Sequence, residues 1–112
     1  MNSILTSTKK LSGVGELYDN FDVDLIAYIN SVFLVLKQIG VGPVEGFYIT
    51  DSAATWNQFI LDNDVLREAT KSYMAAKVRL QFDPPTSSSA MDALNRTISE
   101  FEWRLNVEAE TS

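Results

Sequence analysis

The chain has 112 residues, of which 46% are hydrophobic and 21% charged, a composition typical of one globular domain and too apolar for a disordered chain. It contains no cysteine and no histidine, which excludes disulfides, thiolate metal sites and the most common general base of enzymes. The net charge of −6 disfavours non-specific binding to nucleic acid, and no uncharged apolar run reaches the ~20 residues of a membrane span.

The first two predicted helices lie in the N-terminal half of the chain. A short helix from Ser3 to about Leu11 is ended by the glycines at positions 13 and 15. The second helix begins in the acidic segment 19–24, because carboxylates are favourable at a helix N-terminus, and it runs to Ile39 before Gly40. Apolar residues cover almost its whole circumference, so we expect it at the centre of the domain or against a neighbouring subunit. They are Leu25, Ile29, Val32, Phe33, Leu36 and Ile39 on one face, with Val23 and Leu34 on the other.

A long loop is predicted between the second and third helices. Residues 40–52 are rich in glycine, and residues 47–49 within them have the composition of a short strand. A lone strand needs a partner, either from the loop itself or from another chain. The sequence SAATWNQFI that follows is expected to form a short helical turn.

Two long helices complete the predicted fold. The third begins after Asp62 or Asn63 and ends near Phe82, with apolar stripes on two opposite sides. The fourth extends from about Ser88 to Val107. The core stripe of the third helix is Leu66, Ala69, Tyr73, Ala76 and Leu80, its second stripe is Met74, Val78 and Phe82, and the stripe of the fourth is Met91, Leu94, Ile98, Phe101 and Leu105.

The predicted fold class is therefore all-α. We expect a small bundle of three to four helices, with a long glycine-rich loop between the second and third helices. Residues 1–107 are predicted to form a single helical domain, and residues 108–112 a flexible C-terminal tail.

The segment LQFDPPTSSSAMDAL, residues 80–94, predicts a rigid corner between the last two helices. Pro84 disfavours the helical conformation for Asp83, and neither Pro84 nor Pro85 can donate a backbone hydrogen bond. The serines that follow are favourable N-caps: Ser89 lies three residues before an aspartate, as in a capping box, while one of the two preceding serines could cap an earlier start.

The sequence carries no pattern for catalysis or for binding a cofactor or metal. Aspartate and glutamate cluster at helix starts and on polar faces, where caps and solvated surface explain them. The segment GVGPVEG has Glu45 where a dinucleotide-binding fingerprint requires glycine, and it follows a helix instead of a strand. We therefore expect no enzymatic activity, no cofactor and no metal.

The distinctive feature is a surplus of apolar and aromatic surface. Trp103 lies on an otherwise polar side of the last helix, beside Ser99 and Glu100. Two explanations are open: another helix of the same chain covers it, or it contacts a partner, since tryptophan and arginine are enriched in interfaces. A domain of this size cannot easily bury so many apolar faces by itself.

Two long segments carry a recognisable pattern: FDVDLIAYINSVFLVLKQIGVGPVEGFYI and SYMAAKVRLQFDPPTSSSAMDALNRTISEFEWRLNV. In these segments the chain resembles the head–tail connector proteins of tailed phages, also called adaptor or head-completion proteins. The resemblance covers about residues 5–107, and its most specific pieces are INSVF, GVGP, KVRLQFDPP and EFEWRLN. None of these pieces is a catalytic motif, so the resemblance lies in the overall pattern.

The resemblance implies a structural, non-enzymatic subunit of the phage neck. Such a subunit assembles with copies of itself, commonly twelvefold, as a ring beneath the portal protein of the filled capsid. The ring extends the channel, through which genomic DNA passes without specific binding, and it supports the next neck or tail-completion protein. The implied location is the neck of the virion, after synthesis in the host cytoplasm, with no membrane involved.

Three groups of residues are predicted to make the contacts of this subunit. Portal docking is assigned to the end of the last helix, because connectors of this family commonly reach the portal with their C-terminal segment: Trp103, Arg104, Leu105 and Val107. Contacts between subunits are assigned to the outer faces of the second and third helices: Leu34, Met74, Val78 and Phe82. The long loop is expected to face the channel or a neighbouring subunit through Gly42, Pro43, Glu45, Phe47 and Tyr48.

Two other classes of function remain open from the residues alone. One is a small helical regulatory or DNA-binding protein, because any corner between two helices is similar to a helix-turn-helix. The other is a helical dimerisation module of a host cell. A gel shift at low salt separates the first from a ring subunit, and the mass of the native assembly separates the second.

Overall fold

The computed structural model of the protein describes residues 3–14 and 22–111, and all regular secondary structure in these two ranges is helical. In chain order the helices are α1 (Ile4–Ser12), α2 (Asp22–Ile39), α3 (Trp56–Phe59), α4 (Asp64–Phe82) and α5 (Ser88–Thr111). The predicted all-α class is confirmed. The described residues form five helices instead of three to four, because the predicted turn forms α3. The start of α3 is fixed by a capping box between Thr55 and Gln58. The predicted roles of Gly15 and Asp19 lie outside the described residues.

The corner between α4 and α5 forms where the prolines predict it. α4 ends at Phe82, and Asp83 leaves the helical region with a φ of −150°. The Ser87 hydroxyl accepts a hydrogen bond from the Ala90 amide at 3.2 Å, so α5 starts from the first of the three serines and not from Ser89. Of the residues 83–87 that connect the two helices, all except the half-buried Pro85 are exposed.

α4 is the central helix of the fold, because it contacts each of the other four helices. Both of its apolar stripes are therefore covered within the chain. Met74 and Val78, predicted on an outer face, are both 0% exposed and belong to the core together with Tyr73. Their predicted place in a subunit interface is wrong, since helices of the same chain pack on α4 from more than one side. α2, expected at the centre of the domain or against a neighbouring subunit, buries one face in the core and leaves Val23 and Leu34 on the other face exposed.

An aromatic cluster joins α2, α3 and the loop between them. Phe33, Phe47 and Phe59 pack against one another with ring centroids 4.8–5.3 Å apart, and Trp56 contacts two of these rings. Trp56 is fully buried, and its Nε1 donates a hydrogen bond to the Ser7 hydroxyl at 2.7 Å. The cluster thereby connects α1 to the middle of the chain.

Arg67 fixes the connection between α3 and α4. Its guanidinium donates hydrogen bonds to the carbonyl oxygens of Ile60 at 2.6 Å and Leu61 at 3.3 Å, and it also pairs with the Asp64 carboxylate. Because the Arg67 side chain is buried, its bond to Ile60 satisfies a carbonyl group that water does not reach, whereas the bond to Leu61 is only partly buried. The first turn of α4 is thus held in a defined position beside α5.

α5 continues to Thr111, four residues beyond the predicted end of the last helix at Val107. Its end packs on the end of α2: Asn106 Nδ2 donates a hydrogen bond to the carbonyl oxygen of Ile39 at 3.1 Å, and Ala109 packs against the core. Residues 108–111 are therefore helical. Their looseness in solution stays a prediction, and Ser112 lies outside the described residues.

Candidate interaction surfaces

The first candidate surface is a groove between the first half of α4 and the end of α5, which we call the Trp103 groove. It has a volume of about 330 Å³. Trp103 is 67% exposed there and Val65 is 73% exposed. Sequence analysis left two explanations for the position of Trp103: coverage by another helix of the chain, or contact with a partner. No helix within residues 3–14 and 22–111 covers it, so the first explanation is excluded for this part of the chain. The apolar residues of the groove are Val65, Leu66, Ala69, Phe101, Trp103, Leu105 and Val107.

The four residues predicted to dock on the portal have different environments. Leu105 is only 1% exposed and belongs to the core, so its predicted contact with a partner is wrong. Val107 is exposed beside Trp103. Arg104 is also exposed, and its Nη2 lies 2.7 Å from the Glu100 carboxylate one turn earlier. The accessible part of the predicted set is therefore Trp103, Arg104 and Val107.

A partly buried hydrogen bond fixes the rotation of α5 that exposes Trp103. The hydroxyl of Tyr73 donates to Glu102 Oε2 at 2.7 Å. Burial raises the pKa of the Tyr73 phenol, and the hydrogen bond and negative charge of Glu102 raise this pKa further, so the phenol keeps its proton. Neighbouring residues of a helix point about 100° apart. Because Glu102 is held towards α4, Trp103 is turned towards the outside.

The loop after α2 is fixed by the side chain of Asn30. Asn30 Nδ2 donates to the carbonyl oxygen of Ile49 at 2.9 Å, and Asn30 Oδ1 accepts from the Ile49 amide at 2.8 Å. The strand expected at residues 47–49 is not formed. Both backbone groups that a neighbouring strand would satisfy are bound by one amide side chain of α2 instead.

We expect Asn30→Ala to lower the free energy of unfolding by about 1–3 kcal/mol, because the polar groups of the buried Ile49 lose their partners. The loop should also become more sensitive to limited proteolysis. Urea unfolding and a protease time course measure the two effects, with Gln38→Ala, an exposed position on the same helix, as the control. Unchanged stability and unchanged cleavage of Asn30→Ala would show that this clamp does not hold the loop.

The predicted loop residues divide between an inner and an outer side. Phe47 packs in the aromatic cluster, and the backbone of Gly42 lies directly on the ring of Phe59. Tyr48 is 71% exposed and Glu45 is also exposed. Pro43 is half-buried. The most exposed apolar residue of the loop is the neighbour of Pro43, Val44, which the sequence analysis did not single out.

Leu34 and the outer side of the loop form one continuous surface, which we call the α2–loop surface. A depression of about 310 Å³ joins them, and Lys37 lies in the same depression. The sequence analysis assigned Leu34 and the loop to two separate groups. The exposed residues of the surface are Leu34, Lys37, Glu45 and Tyr48.

The exposed side of α4 presents a third surface, the α4 groove, which the sequence analysis did not identify. It is a depression of about 290 Å³ lined by Leu11, Ser72, Ala75, Ala76, Arg79 and Leu94. The sequence indicates this groove only by two small residues, 75–76, that are followed one turn later by an arginine. Phe82, the remaining predicted interface residue of α4, is half-buried and packs edge-on against Tyr28 with ring centroids 5.8 Å apart.

The described residues offer little for chemistry. They contain no group of three or more carboxylates placed to hold a metal ion. No helix among them is long and apolar enough to cross a membrane. The described part of the chain instead presents these three surfaces and a further depression of about 320 Å³ on α5, lined by Thr97, Glu100, Phe101 and Arg104.

A protein-family model described as phage connector protein matches residues 4–112 of the chain. No curated protein and no solved structure matches the chain. The match covers almost the whole chain, including all five helices.

Proposed function

The chain belongs to the phage connector protein family, and we propose that it assembles as a ring beneath the portal, where it extends the DNA channel and links head to tail. Membership of this family implies a structural role in the neck of the virion. The match over residues 4–112 is the observation that carries the proposal. Ring assembly and portal binding are proposed from the surfaces of the domain, and the passage of DNA through the channel is proposed from its charge.

The distribution of apolar surface supports self-assembly together with a second partner. A subunit in a ring beneath another protein needs two lateral surfaces and one axial surface. The domain presents several depressions built on different helices, among them the α2–loop surface, the α4 groove and the Trp103 groove. Contiguous exposed apolar patches mark contact sites with other proteins, whereas single exposed apolar side chains are common on monomers.

The Trp103 groove is the surface that we assign to the portal. Its exposed tryptophan can be buried in a pocket of a partner, and Arg104 at its edge can bind a carboxylate. A contact that is weak in one subunit becomes strong when a ring repeats it, because the remaining contacts then act at high effective concentration.

The charge of the chain supports a channel through which DNA moves without binding. The net charge is −6, so the phosphate backbone gains no general attraction to the surface. DNA is therefore a passing cargo in this proposal, and the next neck or tail-completion protein binds the far side of the ring.

Electron microscopy of the purified chain mixed with its portal protein tests the proposal. We expect closed rings seated on one end of the portal, and no shift of duplex DNA by the chain alone at low salt. A native mass limited to a dimer in the presence of portal would favour the dimerisation module instead. A clear DNA shift would favour the DNA-binding alternative.

A further inference from the structure

Exposed apolar side chains gather around the Trp103 groove. Val65 and Val107 line it together with Trp103, and all three are exposed. The exposed Leu61 precedes Val65 by four residues, and the exposed Asp62 follows it in the chain. Apolar surface explains why a protein should bind here, but it does not say which one. The charges around the groove decide which chemistry of partner fits.

Carboxylates outnumber cations in the two segments that form the groove. Residues 61–71 and 100–110 contain seven aspartates and glutamates but only three lysines and arginines. This surplus of four negative charges is most of the net charge of −6 of the whole chain, although the two segments hold 22 of its 112 residues. The negative charge of the protein is therefore concentrated around this groove.

The ion pairs of α4 expose their carboxylates and bury their cations. The side chain of Asp64 is 88% exposed, whereas that of its partner Arg67 is 10% exposed. Glu68, which adjoins the lining residue Ala69, is 66% exposed, and its partner Lys71 is 18% exposed. A partner that approaches this side of α4 meets the carboxylate of each pair before the cation. The potential outside α4 is therefore negative even where the charges are equal in number.

α5 adds a row of charges along the other side of the groove. Glu100, Arg104 and Glu108 follow one another at intervals of one turn, so one arginine lies between two carboxylates. Glu110 lies three residues after Val107, beside the same part of the groove. Arg104 Nη2 lies 2.7 Å from Glu100 Oε1, so the cation of the described groove lining is already in contact with a carboxylate of its own helix.

An exposed tryptophan among carboxylates favours a cation of the partner. The face of an indole ring attracts a lysine or arginine side chain, and the nearby carboxylates attract the same charge from further away. The aliphatic stems of lysine and arginine also pack on apolar surface. A second copy of this chain, with its charge of −6, and nucleic acid both bring the wrong sign to this groove.

We propose that the Trp103 groove binds an apolar, net basic segment of another protein, with a lysine or arginine of that segment against the Trp103 indole. This inference rests on the proposed function, in which the other protein is the portal, and it specifies the chemistry of the segment that docks. A carboxylate of the segment can still reach Arg104, but the surplus of negative charge around the groove requires that cations predominate in the segment.

Neutralising two carboxylates beside the groove tests the charge. Asp62→Asn combined with Glu110→Gln should weaken portal capture at least about threefold at low salt, and the difference should disappear near 1 M salt, where the Debye length is about 3 Å. Asp83→Asn combined with Asp92→Asn changes the net charge equally at two exposed positions outside the groove, and should bind as the wild type. Equal weakening by both pairs would show a general effect of net charge, and tighter binding by the first pair would show an acidic segment. Either result overturns the proposal.

Two substitutions of Trp103 test the contact between the cation and the ring. Trp103→Phe and Trp103→Leu both keep an apolar side chain, but only phenylalanine keeps an aromatic face. Trp103→Phe should therefore bind the portal at least about threefold more tightly than Trp103→Leu. Circular dichroism of each variant checks that the helices remain. Equal binding by the two variants would contradict a contact with the indole.

The portal itself separates this inference from the proposed function. If Trp103→Ala loses portal capture while the variant at Asp62 and Glu110 binds as the wild type, the docking segment is not basic, and the proposed function stands. If the portal does not capture the wild-type chain, the proposed function fails, and this inference fails with it.

Discussion

Replacing Trp103 with alanine should weaken portal binding strongly while leaving the free energy of unfolding within about 0.5 kcal/mol of the wild type. The side chain is 67% exposed and therefore contributes little to the core. An aromatic anchor buried in a partner contributes about 2 kcal/mol, which corresponds to about 30-fold in affinity for one subunit. Avidity multiplies this loss around a ring, so the assembled complex should no longer form. Portal capture and urea unfolding of the same sample measure the two quantities.

The chain provides matched controls for this prediction. Val23→Ala removes another exposed apolar side chain, from the start of α2, and should change neither binding nor stability. Trp56→Ala should do the reverse of Trp103→Ala, since the buried indole fills the aromatic cluster and its loss should cost about 3–5 kcal/mol. Unfolding of Trp103→Ala would place Trp103 in a core contact. Wild-type binding by Trp103→Ala would place the portal site elsewhere.

We expect Gly42→Ala to lower the free energy of unfolding by about 2–4 kcal/mol. A Cβ atom at this position would lie 2.4 Å from Cε1 of Phe59, well inside van der Waals contact. The φ angle of +92° adds strain for any residue that carries a side chain. Either the loop or the Phe59 ring must move, and a moved ring disturbs the packing of Phe33 and Phe47.

Gly46→Ala separates these two causes. Gly46 has nearly the same φ, +93°, but the nearest atom to its added Cβ is the flexible Lys37 Cδ at 3.4 Å. It should therefore cost only the backbone strain, about 1–2 kcal/mol. Urea unfolding of both variants measures the difference. Equal losses for the two variants would contradict a specific contribution from the contact between Gly42 and Phe59.

The sequence predicts the helices well where the signals are local. The end of α4 at Phe82 follows from the proline pair, and its start at Asp64 follows from the Asn63 cap, whose side chain accepts the Leu66 amide. The buried face of α2 follows from helical spacing alone. These features depend on residues within one or two turns of each other, and a single sequence contains that information.

The predictions that failed depend on packing between distant residues. The spacing of Met74 and Val78 shows an apolar stripe, but only the position of α4 among the other helices decides what covers that stripe. Leu105 is a different case, because local spacing already placed it in the core stripe of the last helix and its assignment to docking ignored that spacing. The clamp between Asn30 and Ile49 joins residues 19 positions apart, so the loop pattern could not indicate its partner.

The corner between α4 and α5 stabilises the protein largely by restricting the conformations of the unfolded chain. The side chains of residues 83–87 are exposed except for the half-buried Pro85, so they contribute few contacts that could stabilise the folded state. Pro84 and Pro85 restrict the backbone before folding as well as after it, and the chain therefore loses less conformational entropy there than a flexible connection would. The stability that this corner contributes comes from a smaller number of unfolded conformations. It is therefore not visible in the contacts of the folded state.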